Sequence, residues 1–135
     1  MSLVNNQIIT TPVDQITWLA TMMAIDGNIH KKEFEEIIDY GTKLGLEESR
    51  ISKIVSNSIK NKKNLFQYLK LADLPRNDDL MRALIRVVYA DGKIAQQEIQ
   101  MLKLVANKMQ MSGNDLKNLL EDEKRKFILK NQQKS

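Results

Sequence analysis

An eight-residue phrase occurs twice in the chain, 65 residues apart, and it constrains the fold more than any other feature. Residues 26–33 read Asp-Gly-Asn-Ile-His-Lys-Lys-Glu, and residues 91–98 read Asp-Gly-Lys-Ile-Ala-Gln-Gln-Glu. Each copy lies between two stretches whose apolar residues recur at helical spacing. Glycine permits the positive φ of a sharp turn between helices. The pattern therefore predicts two helix–hinge–helix repeats, over residues 16–55 and 81–120.

Helical spacing also runs through the remainder of the chain. Two prolines, five glycines and 5% aromatic residues leave few of the turns that an all-β fold needs. Thr11, followed by proline, predicts a helix start, Gly45 a left-handed helix end, and Ser112 the cap of a long last helix. Asn57–Asn64 is predicted to be a polar connector, and Asp78 or Asp79 to open a helix. We expect an all-α fold, a compact bundle of six to eight short helices built from two pseudo-symmetric repeats.

The length of 135 residues predicts one domain. We expect an N-terminal arm over residues 1–11, a single helical domain over residues 12–130 and a frayed tail over residues 131–135. The absence of cysteine excludes disulfides and thiolate metal sites within this sequence. Apolar runs are too short to span a membrane, and no signal-peptide pattern is present, so we expect a cytoplasmic protein.

The charge is moderately basic, with 21 Lys and Arg against 17 Asp and Glu. Basic residues cluster at Lys60, Lys62 and Lys63, and again in the last helix from Lys124 onward. A basic helical protein that binds nucleic acid or a membrane surface is therefore an alternative function. The acidic helix that follows the first hinge argues against a nucleic-acid reader.

The repeated phrase matches the second half of an EF-hand calcium loop, but neither copy can be one. Counting back places the first and third ligands at Met22 and Ala24 in one copy, and at Val87 and Tyr89 in the other. Calcium requires six to eight oxygen ligands, which these side chains do not supply. A purely structural alternative remains, in which the acids only end one helix and favour the dipole of the next.

The doubled phrase in an all-helical chain of this size resembles the TerB-like domain of tellurite-resistance proteins, over about residues 12–125. The N-terminal domain of the DjlA co-chaperone is similar in the same region. The resemblance implies a pseudo-twofold helical domain that works in membrane-associated stress-response assemblies through a protein partner. It also implies a divalent-metal site formed by paired acids, here Asp26, Glu33, Asp91 and Glu98. Glu36 departs from this symmetry, because Met101 stands at its counterpart.

Carboxylate oxygens suit calcium, magnesium or manganese better than zinc, and we expect weak binding, on the order of 10⁻⁴–10⁻³ M. No nucleophile lies beside a base and no glycine-rich phosphate loop is present, so we expect a non-enzymatic protein. His30, whose counterpart is Ala95, is expected to face solvent. Trp18 and most of the seven methionines are expected in the core.

Overall fold

The computed structural model describes residues 9–25, 29–90, 92 and 94–133, which form seven α-helices. The helices are α1 (Pro12–Ile25), α2 (Lys31–Lys43), α3 (Glu48–Lys60), α4 (Lys62–Lys70), α5 (Asp78–Val88), α6 (Gln96–Lys108) and α7 (Gly113–Gln133). The predicted all-α class is confirmed. The chain divides into two compact units with the boundary between Pro75 and Arg76, so that α1–α4 form unit one and α5–α7 form unit two. A single domain over residues 12–130 stays a prediction.

The internal repeat is visible in the bounds of the helices. α6 begins and ends 65 residues after α2, and α7 begins 65 residues after α3. α7 then continues to Gln133, so helix covers residues 131–133 of the predicted tail. No described helix combines the length and the apolar character of a membrane-spanning segment.

Side-chain caps set three of the helix starts. Thr11 Oγ1 accepts the Asp14 amide at 3.1 Å, and Ser112 Oγ accepts the Asp115 amide at 3.1 Å, as predicted. α5 begins at Asp78, which confirms the predicted start, and its cap is Asn77, whose Oδ1 accepts the Leu80 amide at 3.0 Å. Asparagine at this position leaves the following aspartates free to lie in the first turn, where the helix dipole favours them.

The predicted polar connector over residues 57–64 was wrong. α3 continues through this segment to Lys60, and only Asn61 separates it from α4. Ser58 is buried within the segment, and its hydroxyl donates to the Ile54 carbonyl at 2.8 Å. Packing of one helix face therefore overrides the weak helix preference of asparagine and serine here.

Unit one is built around α1, which packs against α2, α3 and α4. The core joins this helix to its neighbours through Ile16, Leu19, Ala20, Ile37, Ile51, Val55 and Leu69. Gly41 on α2 lets Ile51 of α3 approach closely, because a Cβ at Gly41 would lie only 2.5 Å from the Ile51 Cδ1 atom. Gln15, buried on α1, accepts a hydrogen bond from the Tyr40 hydroxyl and donates to the Thr10 carbonyl. Trp18 is buried, as predicted.

Unit two is built around α5, which packs against α6 and α7. Seven of its residues are buried, and Arg82 and Arg86 point toward two acids on α7. Glu123, only 4% exposed, accepts Arg82 at 2.8 Å and Arg86 at 3.2 Å. Arg82 also pairs with Asp122. An ionic contact therefore forms part of the α5–α7 packing.

The same contact shifts the pKa of both acids. Burial by itself raises the pKa of Glu123, but the hydrogen bond from Arg82 and the charge of Arg86 outweigh it, and the net shift is downward. The hydrogen bond from Arg82, followed by that from Lys126, lowers the pKa of Asp122 to about 2. Lowered pKa values mean that these ionised acids stabilise the folded state at neutral pH.

We predict that Glu123→Gln lowers the free energy of unfolding by about 1–3 kcal/mol at neutral pH, because charged hydrogen bonds are lost inside a packed interface. Urea unfolding followed by circular dichroism measures the change. The matched control is Glu121→Gln, an exposed acid on the same helix, for which we expect less than about 0.5 kcal/mol.

The wild type should also lose this stabilisation as the pH falls from about 4, the ordinary carboxylate pKa, toward the depressed value of about 2 at Asp122. The Glu123→Gln variant should show a shallower acid loss. Equal acid profiles in the two proteins would contradict a stabilising role for the contact.

α2 and α6 end in the same backbone geometry with different residues. After α2, Gly45 has φ 95° and the Leu46 amide donates to the Gly41 carbonyl at 3.0 Å. After α6, Gln110 has φ 60° and the Met111 amide donates to the Ala106 carbonyl at 2.8 Å. This is the left-handed helix end predicted at Gly45, and a side chain at Gln110 is strained in it.

Exchanging the two residues should therefore have opposite effects. We predict that Gln110→Gly raises the free energy of unfolding by up to about 1 kcal/mol, since relief of the left-handed strain exceeds the entropy cost of glycine. Gly45→Gln should lower it by about 1 kcal/mol for the converse reason. Thermal unfolding of both variants checks the pair, and a destabilised Gln110→Gly protein would show that the Gln110 side chain contributes packing.

Candidate functional site

The two hinges place their glutamates identically. Glu33 is the third residue of α2, and its Oε1 accepts the backbone amide of His30 at 2.8 Å. Glu98 is the third residue of α6, and its Oε1 accepts the backbone amide of Ala95, also at 2.8 Å. In both copies the carboxylate reaches back to the residue that precedes the helix, which is one half of a capping box. The glutamate of the phrase therefore starts the second helix of each repeat.

The capping hydrogen bond also fixes the position of each carboxylate. The glutamate lies at the positive end of a helix dipole, where a negative charge is favoured. The hydrogen bond to the backbone amide holds the carboxylate near the last residues of the hinge, and a carboxylate has lone pairs for about four interactions. Such an anchored group retains the capacity to coordinate a cation.

The aspartates of the phrase, Asp26 and Asp91, lie outside the described residues. So do Gly27 and Asn28 of the first hinge and Lys93 of the second. Within the described ranges, no group of three or more His, Cys, Asp or Glu side chains could hold a metal ion. The four-acid site therefore stays a prediction, of which the structure describes only the two glutamates.

The neighbouring residues agree with the sequence argument against an EF-hand. Met22 and Ala24 lie in α1, and Val87 lies in α5, so these positions are helix and not a cation-binding loop. Tyr89 directly follows the end of α5. His30 is exposed at the residue before α2, as expected for a side chain facing solvent.

The second hinge has an aromatic support that sequence reasoning missed. Gly92 has φ 88°, and its amide donates to the Tyr89 carbonyl at 2.8 Å. The Tyr89 ring meets the Phe127 ring of α7 edge to face, with 4.8 Å between centroids. A Cβ at Gly92 would lie 3.7 Å from Phe127, so the ring is beside the hinge glycine, at van der Waals distance from where a side chain would begin.

In the sequence, this contact could have been indicated only by comparing the two repeats. At the first hinge the positions equivalent to the ring pair are Ala24 and Lys62, so the support belongs to the second copy alone. Because α7 is longer than α3, its added turns carry Phe127 to the hinge. The two hinges therefore differ in their surroundings even though their phrases match.

The acid–arginine contact between α5 and α7 is the other feature that the sequence reasoning did not identify. Arg82 and Arg86 interrupt an otherwise apolar helix at a spacing of four residues, which places both on one face. That interruption was the available signal. Their partners, Asp122 and Glu123, also hold Arg125 and Lys126 of the basic last helix in ion pairs. The predicted basic cluster of α7 is thus partly neutralised.

We predict that Phe127→Ala loosens the second hinge and leaves the first unchanged, because the ring lies beside Gly92 and the positions equivalent to the ring pair in the first copy are not aromatic. Hydrogen exchange measures this: the Gly92 amide should lose protection by about tenfold or more, while the Phe34 amide of the first repeat should not change. Ile128→Ala, at a half-exposed neighbour on α7, is the matched control. Equal loss at both hinges would mean that the variant destabilises the whole protein.

Comparison with known proteins agrees with the geometry of the repeats. The sequence profile of the family described as Tellurite resistance protein TerB matches residues 13–121, which is most of the chain and includes both hinges. Searches of curated proteins and of solved structures found no match. The matched region lacks only residues 1–12 and the last turns of α7, and the chain belongs to the TerB family.

Proposed function

We propose that this TerB-family protein is a non-enzymatic interaction module that binds a divalent cation through the acids of its hinges. The observation that carries the proposal is the equivalent placement of Glu33 and Glu98, each of which accepts the backbone amide of the residue before its helix. An anchored carboxylate loses little conformational entropy on binding a cation, so two such groups are suited to coordination.

The chemistry of the donor set favours a hard cation. Asp26, Glu33, Asp91 and Glu98 offer carboxylate oxygens, which suit calcium, magnesium or manganese better than zinc. The residues present therefore fit a divalent cation held in part by water. The hinge acids would be the ligands of this cation. Its positive charge would hold the first turn of α2 or α6 to the hinge that precedes that helix.

The biological setting is proposed on the family alone. Membership in a family described by tellurite resistance supports a role in a stress response, with a protein partner that recognises the cation-bound state. A cytoplasmic location, with recruitment to the inner face of a membrane, is part of the same proposal.

A purely structural role for the acids is the second candidate, and the observed hydrogen bonds favour it specifically. Glu33 and Glu98 each satisfy a backbone amide that would otherwise lack a partner at a helix start. This role requires no cation.

Glutamine substitution separates the two candidates. Glutamine keeps the side-chain oxygen that accepts the capping amide but removes the charge that a cation needs. We predict that Glu33→Gln/Glu98→Gln remains folded, with a change in unfolding free energy below about 1 kcal/mol, and loses cation binding. Calorimetric titration of chelator-treated protein with calcium, magnesium, manganese and zinc measures the binding.

The controls use acids away from the hinges. Glu35→Gln/Glu121→Gln removes two exposed acids and should leave the titration unchanged. Asp26→Asn/Asp91→Asn should abolish it, and the two single glutamate variants show whether each hinge contributes. We expect a dissociation constant on the order of 10⁻⁴–10⁻³ M. If no saturable binding appears at cation concentrations several times higher, the acids serve only as helix caps.

A further inference from the structure

The α3–α4 segment contains a run of basic residues without acids. Residues 49–72 contain six Lys and Arg and no Asp or Glu, whereas the whole chain has a net charge of only +4. The remainder of the chain is therefore net negative. The six cationic residues are Arg50, Lys53, Lys60, Lys62, Lys63 and Lys70.

Three of these lysines face solvent without the carboxylate partners that basic residues of α7 have. Lys53, Lys60 and Lys63 are exposed, and among the described residues none of the three is paired with a carboxylate. Arg125 and Lys126 of α7, by contrast, form ion pairs with Asp122. The positive electrostatic potential of these lysines therefore extends into the solvent.

Polar donors accompany the lysines on the exposed face of α3. Ser52, Ser56 and Asn57 line a shallow open depression together with Lys53 and Lys60. Hydroxyl, amide and ammonium groups can all donate to phosphate oxygens, and no acid lines this depression. The surface is suited to anionic phosphate groups.

The same segment exposes large apolar side chains. Leu71 is 78% exposed, Tyr68 is 53% exposed and Ile59 is 40% exposed. A segment that exposes both lysines and aromatic or aliphatic side chains is suited to the interface of a lipid bilayer, where lysines meet headgroups and apolar groups enter the acyl boundary.

The composition distinguishes this partner from nucleic acid. Five of the six cations are lysine, and nucleic-acid phosphates are preferentially bound by the planar fork of arginine. Exposed leucine and isoleucine gain nothing from contact with a phosphodiester backbone. We propose that the α3–α4 segment binds an anionic lipid surface, independently of any cation at the hinges.

Vesicle flotation tests this assignment with full-length protein and chelator present. The vesicles contain phosphatidylcholine alone or with one third phosphatidylglycerol. The test variant is Lys53→Gln/Lys60→Gln/Lys63→Gln, and the matched control is Lys103→Gln/Lys117→Gln/Lys124→Gln, which removes the same number of exposed charges from unit two. Circular dichroism confirms that each variant keeps its helix content.

We expect the wild type and the control to float with the anionic vesicles only. The test variant should bind on the order of 100-fold more weakly, because each lysine near a charged bilayer contributes about 1 kcal/mol. Tyr68→Ser/Leu71→Ser should remove the binding that persists at high salt, and Leu104→Ser, at a 71% exposed residue of unit two, should not.

Three outcomes would overturn the proposal. The wild type could fail to float with anionic vesicles, or both triple variants could weaken equally, which would indicate net charge and not a defined face. Tighter binding to duplex DNA or to polyglutamate than to the vesicles would assign the surface to a nucleic acid or an acidic protein. Because chelator is present, loss of cation binding at the hinges cannot produce any of these results.

Discussion

Each unit depends on the burial of the apolar surface of one central helix. α1 is covered by three neighbours and α5 by two within its own unit. Apolar surface is unfavourable in water, so the surrounding helices present their apolar faces to the central helix. Leu19 and Ile16 of α1, and Leu84 of α5, are fully buried. Arg82 and Arg86 of α5 lie on the side that meets the acids of α7.

The glutamate of the repeated phrase starts the second helix of each repeat. Glu33 and Glu98 each accept the amide of the residue that precedes the helix. At the second hinge, Gly92 turns the chain with a φ of 88°. The same two carboxylates are the cation ligands that we propose, so a capping role and a proposed binding role fall on one residue in each repeat.

The two repeats have diverged in how their first and third helices pack. Where unit two has Arg86 and Glu123 in contact, unit one has Thr21 and Ser58 at the equivalent positions, both fully buried. Ser58 donates to its own helix, and Thr21 Oγ1 has no hydrogen-bond partner among the described residues. Asp122 and Glu123 of α7 pair with basic residues of the same unit. In unit one, residues 49–72 carry six Lys and Arg and no Asp or Glu.

The sequence by itself determined the helical class, the repeat and the starts of most helices, because periodicity and caps are local properties. Thr11, Ser112 and Gly45 act where a single-sequence reading places them. Only the tertiary structure decided that Glu123 joins Arg82 and Arg86, that Phe127 rests on Gly92, and that residues 57–60 remain helical. Each of these contacts joins distant residues or results from burial, and burial is set by the assembled helices and not by neighbours along the chain.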